Sequence, residues 1–431
     1  MLKKPSPKES DMGKYIPSAI TLSVYNSTAT EFGVTWQTEE IGSPILEYTS
    51  PDDTDFQNAV RVSGEWSPGT ESVKNCAVIR GLAPGESCLY RVGDESGTRS
   101  DKAIFRAPMH DPKKLTFLIV TDTQDERHWG KFLKIASDDA MKSFPDAELT
   151  VHTGDIVQEG GNAMMWREML GRSEEFFRSY PMALISGNHD YWYGYLHGYD
   201  AVTEKHVHID LPHKDTRHGI YYSFDVGPVH FTMLSSGDSM ETDGHGLLPE
   251  QLEWAINDIS STDKRWKIVA VHNPMYSPGK YGCVDPIFGV AMSLREQLNE
   301  VFVKYGVDLV LCGHDHVYAK TFPIDPTGMP ITNYRYFVSE IHGVTAKIAV
   351  DPEGPIHLES GCAGNQNRRV ISDIAPEFAA AFDAMSDMTE AAAAYSAVEI
   401  CGDTMRVTYR EIDCRTGRCV KQNAFGIMKN K

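Results

Sequence analysis

Three apolar runs in the middle of the chain each stop on a polar residue: Asp122 after "LIV", Asp155 after "TVHTG" and Asn188 after "LISG", 33 residues apart in both intervals. About 30 residues is what a strand, a helix and a returning parallel strand occupy. The spacing therefore predicts successive βαβ units, with helices near 130–143 and 162–178. It sets the three polar residues at the carboxyl ends of neighbouring strands, where ligands of α/β sheets collect. Two later runs behave alike: "IVAV" ends on His272, and "LVLCG" runs into His314 and His316. Side chains alternate across an extended chain, so His314 and His316 lie on one side and can aim ring nitrogens at one point.

A rim of carboxylate, carboxamide and imidazole without thiolate suits Zn, Mn or Fe and disfavours a closed, Cys-rich structural zinc. Asp155 is the natural bridge between two ions, because a carboxylate has two oxygens to share. Two ions so placed clamp the attacking and leaving oxygens of an in-line displacement at phosphorus and lower the pKa of a bound water. The predicted reaction is phosphoester hydrolysis.

Around this core the chain divides by texture. Residues 1–14 are polar, with Pro5 and Pro7, and read as a disordered leader. From 15 to 108 come short strands such as "ITLSVYN", "EFGVTWQT", "ILEYTS", "KNCAVIRGL" and "SCLYRVGDE", separated by Gly, Pro, Asp and Ser, which predicts a β-sandwich. "RAPMHDPKK", 106–114, marks the boundary, and 115–431 reads as a mixed α/β domain. Within it we expect a hairpin turning at Gly227-Pro228, helices at "PEQLEWAINDIS" and "LREQLNEVFVKYG", a helix over 376–396, and a final hairpin in "AVEICGDTMRVTYREID".

Charge narrows the partners. With 60 acidic against 41 basic residues, net −19, the chain is a poor binder of a nucleic-acid duplex or an anionic membrane surface. No window approaches the ~18 consecutive apolar residues of a membrane helix. The start has no apolar segment of a secretory signal, which predicts a cytoplasmic protein as written and a secreted one if the native start was trimmed. Cys76 and Cys88, and Cys414 and Cys419, flank turns and are able to face one another across hairpins, their state set by compartment. Nothing in the sequence speaks to oligomeric state.

The motifs "TDTQ", "TGDIVQ", "SGNHD", "VAVHNP" and "GHDHVYAKTFPI", with "YYSFDVGPVHF", "HLESGCAGN" and an amino-terminal sandwich containing "RGLAPGESCLYRVGD", resemble the calcineurin-like metallophosphoesterase superfamily, in its purple acid phosphatase branch. The resemblance implies a fibronectin III-like β-sandwich followed by a metallophosphoesterase β-sandwich flanked by helices. It implies two divalent or mixed-valence metal ions (Fe, Mn or Zn), one held by Asp122, Asp155 and His316, the other by Asp155, Asn188, His272 and His314. His189 would stand over the leaving group, as general acid or holding the phosphoryl oxygen, with Asp190 orienting its ring. The substrate would be a small phosphate ester.

Two positions depart from the family. The purple enzymes carry a tyrosine where this chain has Gln158, and the wider superfamily usually has histidine where it has Gln124. Gln124 can bind a metal through its amide oxygen, less firmly than imidazole does. For substrate contacts we expect Tyr276, Lys280 or Tyr281 from the loop "NPMYSPGKYGCVD", and an aromatic wall from the insert at 191–208. Acid phosphatase-like hydrolysis is the leading function. Phosphodiesterase activity on nucleotide or phospholipid head-group esters, or a non-catalytic binding protein with a degenerate first metal site, are the alternatives.

Overall fold

Eight short strands come first: β1 Ser18–Val24, β2 Phe32–Thr38, β3 Pro44–Thr49, β4 Val60–Ser63, β5 Glu65–Pro68, β6 Val73–Ile79, β7 Ser87–Asp94 and β8 Ala103–Arg106. The computed structural model describes residues 15–68, 72–125, 127–192, 221–237, 246–283, 289–366 and 368–430. The expected leader at 1–14, and the expected aromatic wall from residue 193 onward, lie outside them. The strands form two facing layers, β1-β2-β6-β5 and β4-β3-β7-β8. Alternation sets the faces: in β8, Ala103 and Phe105 are buried while Ile104 and Arg106 are exposed. Phe32 and Tyr90 close on Phe105 edge to face, at 5.0 and 5.9 Å between centroids.

The first layer does not end at its own edge. Further along the chain come β9 Lys114–Val120, α1 Lys131–Ser143, β10 Leu149–His152, α2 Ala163–Arg172, α3 Glu174–Ser179, β11 Met182–Leu184 and α4 Asn188–Trp192. β1 pairs in parallel with β11, Ser23 opposite Met182, so the sandwich continues into a 12-stranded sheet. The expected helix over 162–178 is broken in two at Ser173, whose backbone φ of −107° and ψ of 26° is not helical.

The rest of the chain contributes β12 Tyr222–Val226, β13 Val229–Leu234, α5 Pro249–Ser261, β14 Trp266–Val271, α6 Lys280–Cys283, α7 Val290–Tyr305, β15 Leu309–Cys312 and β16 Tyr318–Thr321. It ends with β17 Tyr336–Ile341, β18 Val344–Val350, β19 Ile356–Ser360, α8 Pro376–Ala379, β20 Phe382–Ser386, β21 Ala392–Cys401, β22 Thr404–Asp413 and β23 Arg418–Met428. A second sheet runs β12-β13-β14-β15-β19-β16-β20 and faces the first. Phe117 of β9 meets Phe231 of β13 edge to face at 5.2 Å, and Phe224 stacks on Phe231 at 4.7 Å, tying the two sheets through one apolar core.

The expected helix over 376–396 is mostly strand. Only Pro376–Ala379 is helical, and β20 and β21 take most of the remainder. Helix propensity differs between residues by a few tenths of a kcal/mol, and β21 is paired on both sides, with Ala397 opposite Leu118 of β9 and Thr408 of β22. Its alanines serve close packing instead. A Cβ built on Gly361 would lie 3.0 Å from Ala394 Cβ.

Of the two cysteine pairs, Cys414 and Cys419 flank the β22–β23 turn as expected, and Cys76 and Cys88 do not flank a hairpin. Cys76 lies on β6 in the large sheet and Cys88 on β7 in the other layer, so no hairpin joins them. These two, together with Cys414 and Cys419, are free thiols. Among the described residues no helix is long and apolar enough to cross a membrane.

Candidate metal centre

β9, β10 and β11 run parallel and in step, Ile119 opposite Val151 and Val151 opposite Ala183, so the loops that follow them leave the sheet side by side. In the facing sheet Ala270 of β14 pairs with Leu311 of β15, which carries His272 and the "GHDH" turn to the same end. There the ligand atoms of Asp122, Asp155 and His316 lie within 4.8 Å of one another, as do those of Asp155, His272 and His314. Asp155 belongs to both groups. A carboxamide completes each: Asn188 Oδ1 is 3.2 Å from His272 Nε2 and 2.8 Å from His314 Nδ1. Gln124 Nε2 is 3.2 Å from Asp155 Oδ2 and 3.3 Å from His316 Nε2.

The backbone holds this rim under strain. Asp122, Asp155, His314 and His316 all sit in the left-handed region, with φ of 50°, 55°, 78° and 59°, a conformation that costs a non-glycine residue on the order of 1–3 kcal/mol. Hydrogen bonds over-determine it. The His314 N–H donates to both Asp122 oxygens at 3.0 and 2.9 Å, the Asp122 N–H to the Gly154 carbonyl at 3.0 Å, and the His189 N–H to Asp155 Oδ1 at 2.8 Å. Glycines let the strand ends approach: a Cβ on Gly187 would fall 2.1 Å from Asp155 Oδ1, and one on Gly313 2.3 Å from Asp122 Oδ2.

Backbone carbonyls orient the imidazoles. His272 Nδ1 donates to the Thr153 carbonyl at 2.8 Å and His316 Nδ1 to the Gln366 carbonyl at 2.5 Å, which turns each Nε2 toward the carboxylates. Electrostatics point the same way. Burial alone would raise the Asp155 and Asp122 carboxyls, but His272 and His316 beside them outweigh it and hold both below the ordinary range. Burial would lower His272, yet Asp155 and Asp122 hold it up at about 9. His314 differs: burial, then its neighbour His272, push it down to about 3. The centre favours positive charge between these groups, and the residues present fit metal ions. Gln124 Oε1 is buried without a hydrogen-bond partner, an acceptor that a cation would satisfy once the carboxamide turns over.

His152 is near but structural. Its Nδ1 accepts the Gly154 N–H at 3.1 Å, its Nε2 faces Thr123 Oγ1 at 3.1 Å, and burial holds its pKa at about 3.

His189 is half-buried, with Nδ1 3.1 Å from the Gln158 carbonyl. Asp190 does not orient its ring. Its carboxylate instead accepts the Ile156, Val157 and Gly187 N–H groups at 2.8, 3.2 and 2.8 Å, anchoring the loop that carries Asp155. Asp190 is fully buried while His189 is half-buried. Gln158, at the tyrosine position of the purple enzymes, accepts a hydrogen bond from Gln366.

Tyr276 is likewise no substrate contact: it is 3% exposed, its hydroxyl is bound to Asn299 and Gly328, and its ring packs against His357 and Phe378. Tyr281, by contrast, lies 4.9 Å from the His314 ring, with the exposed Lys280 beside it. Three further neighbours escape sequence reasoning. Cys362 Sγ meets the Asp122 carbonyl, Gln366 supports His316, and Arg368 Nη1 donates to the His314 carbonyl at 3.2 Å. The adjacent arginines in "NQNRRV", within so acidic a chain, were the available signal.

Two sheets thus face across an apolar core, with Asp, Asn and His loops gathered at one end around a shared carboxylate. Residues 115–318 match the calcineurin-like phosphoesterase family model, and residues 17–107 match the N-terminal domain of purple acid phosphatases. The chain thus carries a calcineurin-like phosphoesterase domain preceded by a purple acid phosphatase N-terminal domain.

It is similar to human acid phosphatase type 7, 26% identical over 315 residues, 67% of this chain and 64% of that protein. It is also similar to Arabidopsis thaliana purple acid phosphatase 23, 30% identical over 149 residues, 34% of this chain and 26% of that one. The chain thus spans less than two thirds of the length of these relatives. Among solved structures, a purple acid phosphatase from yellow lupin seeds superposes with a TM-score of 0.73 at 17% identity, covering 96% of this chain and 75% of that one. PhoD gives 0.68 at 13%, covering 98% and 92%. Both show the fold. The family and the two ligand groups together imply a dinuclear metal centre.

Proposed function

We propose that the chain is a two-metal hydrolase of small phosphate esters. The observation that carries the reading is the shared carboxylate: Asp155 stands in both ligand groups at once. Asp122, Asp155, His316 and Gln124 would hold one ion, and Asp155, Asn188, His272 and His314 the other, with Fe, Mn or Zn suiting these donors. When bound, the pair supplies an activated nucleophile and charge neutralisation at phosphorus.

The protein's own groups do the rest. Asp155 fixes the spacing of the two ligand groups, and the strained turns keep both sets of imidazoles in place without reorganisation. His189 keeps its Nδ1 proton on the Gln158 carbonyl, leaving Nε2 to hold or deliver a proton at the departing oxygen. A net charge of −19 favours small esters over long polyanions. The proposal includes the division into a leader at 1–14, a sandwich at 15–108 and a catalytic part at 115–431. The free thiols of the described cysteines suit a reducing compartment such as the cytoplasm.

The test is metal analysis of protein purified without chelator, with assays on nitrophenyl phosphate and its bis-ester. We expect close to two equivalents of metal, hydrolysis abolished by chelation, and, with Gln158 replacing the phenolate ligand, a colourless protein. Hydrolysis indifferent to chelation would sink the reading.

A further inference from the structure

Beside His314 stand two cations, Arg368 and Lys280, that form no ion pair within 4.0 Å among the described residues, Asp315 being the carboxylate that feels the Arg368 charge. The Arg368 guanidinium lies 5.1 Å from the centroid of the Tyr281 ring and the Lys280 ammonium 5.2 Å from it, while that ring is 4.9 Å from His314. Four other half-buried arginines are paired with carboxylates: Arg91 and Arg99 with Glu47, Arg178 with Glu174, Arg410 with Asp139. In a chain with 60 acidic residues, an arginine beside the ligand turn without a close ion pair is available to an anion.

It is also held rigidly. The Asp315 carboxylate, between His314 and His316, accepts the Tyr281 and Gly282 N–H groups at 3.0 and 2.8 Å, so the Tyr281 plate is fixed to the ligand turn itself. Gly279 allows this approach, since a Cβ there would fall 2.5 Å from Asp315 Cβ. Arg368, stacked on the plate and bonded to the His314 carbonyl, loses little freedom on binding an anion.

We propose that Arg368, backed by Tyr281 and Lys280, binds non-bridging oxygens of the substrate's phosphoryl group and selects phosphomonoesters over diesters. The inference rests on the phosphoesterase reading above. A monoester dianion brings a second charged oxygen to the rim, where a planar guanidinium can engage it with paired N–H donors. A diester presents an ester substituent there instead. Losing a hydrogen bond of this charged kind weakens binding roughly 10- to 100-fold.

The experiment measures inorganic phosphate binding to the metal-loaded protein by calorimetry, which needs no turnover, alongside kinetics on nitrophenyl phosphate and bis-nitrophenyl phosphate. Arg368→Ala is expected to weaken phosphate binding and raise KM for the monoester roughly 10- to 100-fold, with metal content retained and the bis-ester much less affected. Arg368→Lys should restore part of the loss, which a merely structural defect would not predict in phosphate affinity. Lys280→Ala, at an exposed position, should cost only a few-fold. Unchanged phosphate affinity in Arg368→Ala overturns the proposal, as does equal loss on both esters. If phosphate binding depends on Arg368 while the wild type hydrolyses neither ester, the rim stands as an anion site and the phosphoesterase reading falls.

Discussion

The half of the rim formed by Asp155, His272 and His314 and the half formed by Asp122, Asp155 and His316 each include a carboxamide, Asn188 in one and Gln124 in the other. Asn188 begins α4, in the short turn that follows β11, and its oxygen already faces two imidazoles at 3.2 and 2.8 Å. Gln124 carries one more methylene and presents its amino group to Asp155 and His316, while its oxygen has no partner. To offer oxygen to a cation it must turn over about its last torsion. A short side chain on a helix start is preset, and a longer one on a loop must reorganise, so the two halves should differ in how firmly they hold a metal.

The largest effect should come where the comparison disappears. Asp155 serves both halves, and Asp155→Asn keeps its shape while removing the shared charge. We expect metal to be lost from both halves and activity to fall by about 10³-fold or more, beyond the 10–100-fold typical of partners outside the ligand shell. Retention of two metals with near-normal turnover would show that the halves do not share this carboxylate.

In the proposed reading His189 stands beside the Asn188 half and is no ligand of it. His189→Ala should leave both metals in place yet slow hydrolysis of an alkyl phosphate by about 10²–10⁴-fold, the usual cost of a lost general acid. Nitrophenyl phosphate, whose leaving group is a stable anion, should suffer far less. Equal losses on both would assign His189 to phosphate positioning, and loss of metal would make it a ligand.

The rim itself was legible in the sequence because parallel strands are read from apolar runs, and each run here ends on its ligand. Asp122, Asp155 and Asn188 come together because their strands are in register, which the 33-residue spacing already required. Direction within loops was not legible. Asp190 and Tyr276 have the right chemistry near the right motifs, but both are buried, the first bonded to backbone N–H groups and the second to Asn299. Arg368 reaches His314 along an irregular segment after β19 that has no periodicity to read. The strand at 392–401 was hidden by its alanines, whose helix preference yields to pairing on both sides.

The next effect compares the halves directly. Asn188→Ala removes a preset oxygen from between two imidazoles, and we expect metal affinity of that half to fall about 10–100-fold, with turnover following. Stepwise chelation of the wild-type protein should show the same asymmetry from the other side. Metal would leave the Gln124 half first, and the thermal midpoint would drop in two steps, because each bound ion stabilises the folded state according to its concentration over its dissociation constant.

The smallest effect is the sharpest test of the comparison. If Gln124 contributes only through an oxygen that must first turn away from its present partners, Gln124→Ala should weaken metal binding less than Asn188→Ala does, by under about 10-fold, since part of the ligand's worth is spent in reorganising. Gln124→His tests the same point in the opposite sense. An imidazole is a firmer ligand than a carboxamide, and it would stand beside Asp155 and His316 without an amino group competing for the carboxylate. Metal titration of the two variants should therefore bracket the wild type, alanine weaker and histidine tighter, with the other half unchanged in each. Should Gln124→Ala cost as much as Asn188→Ala, Gln124 is as preset as Asn188, and the unpartnered oxygen already points where an ion would sit.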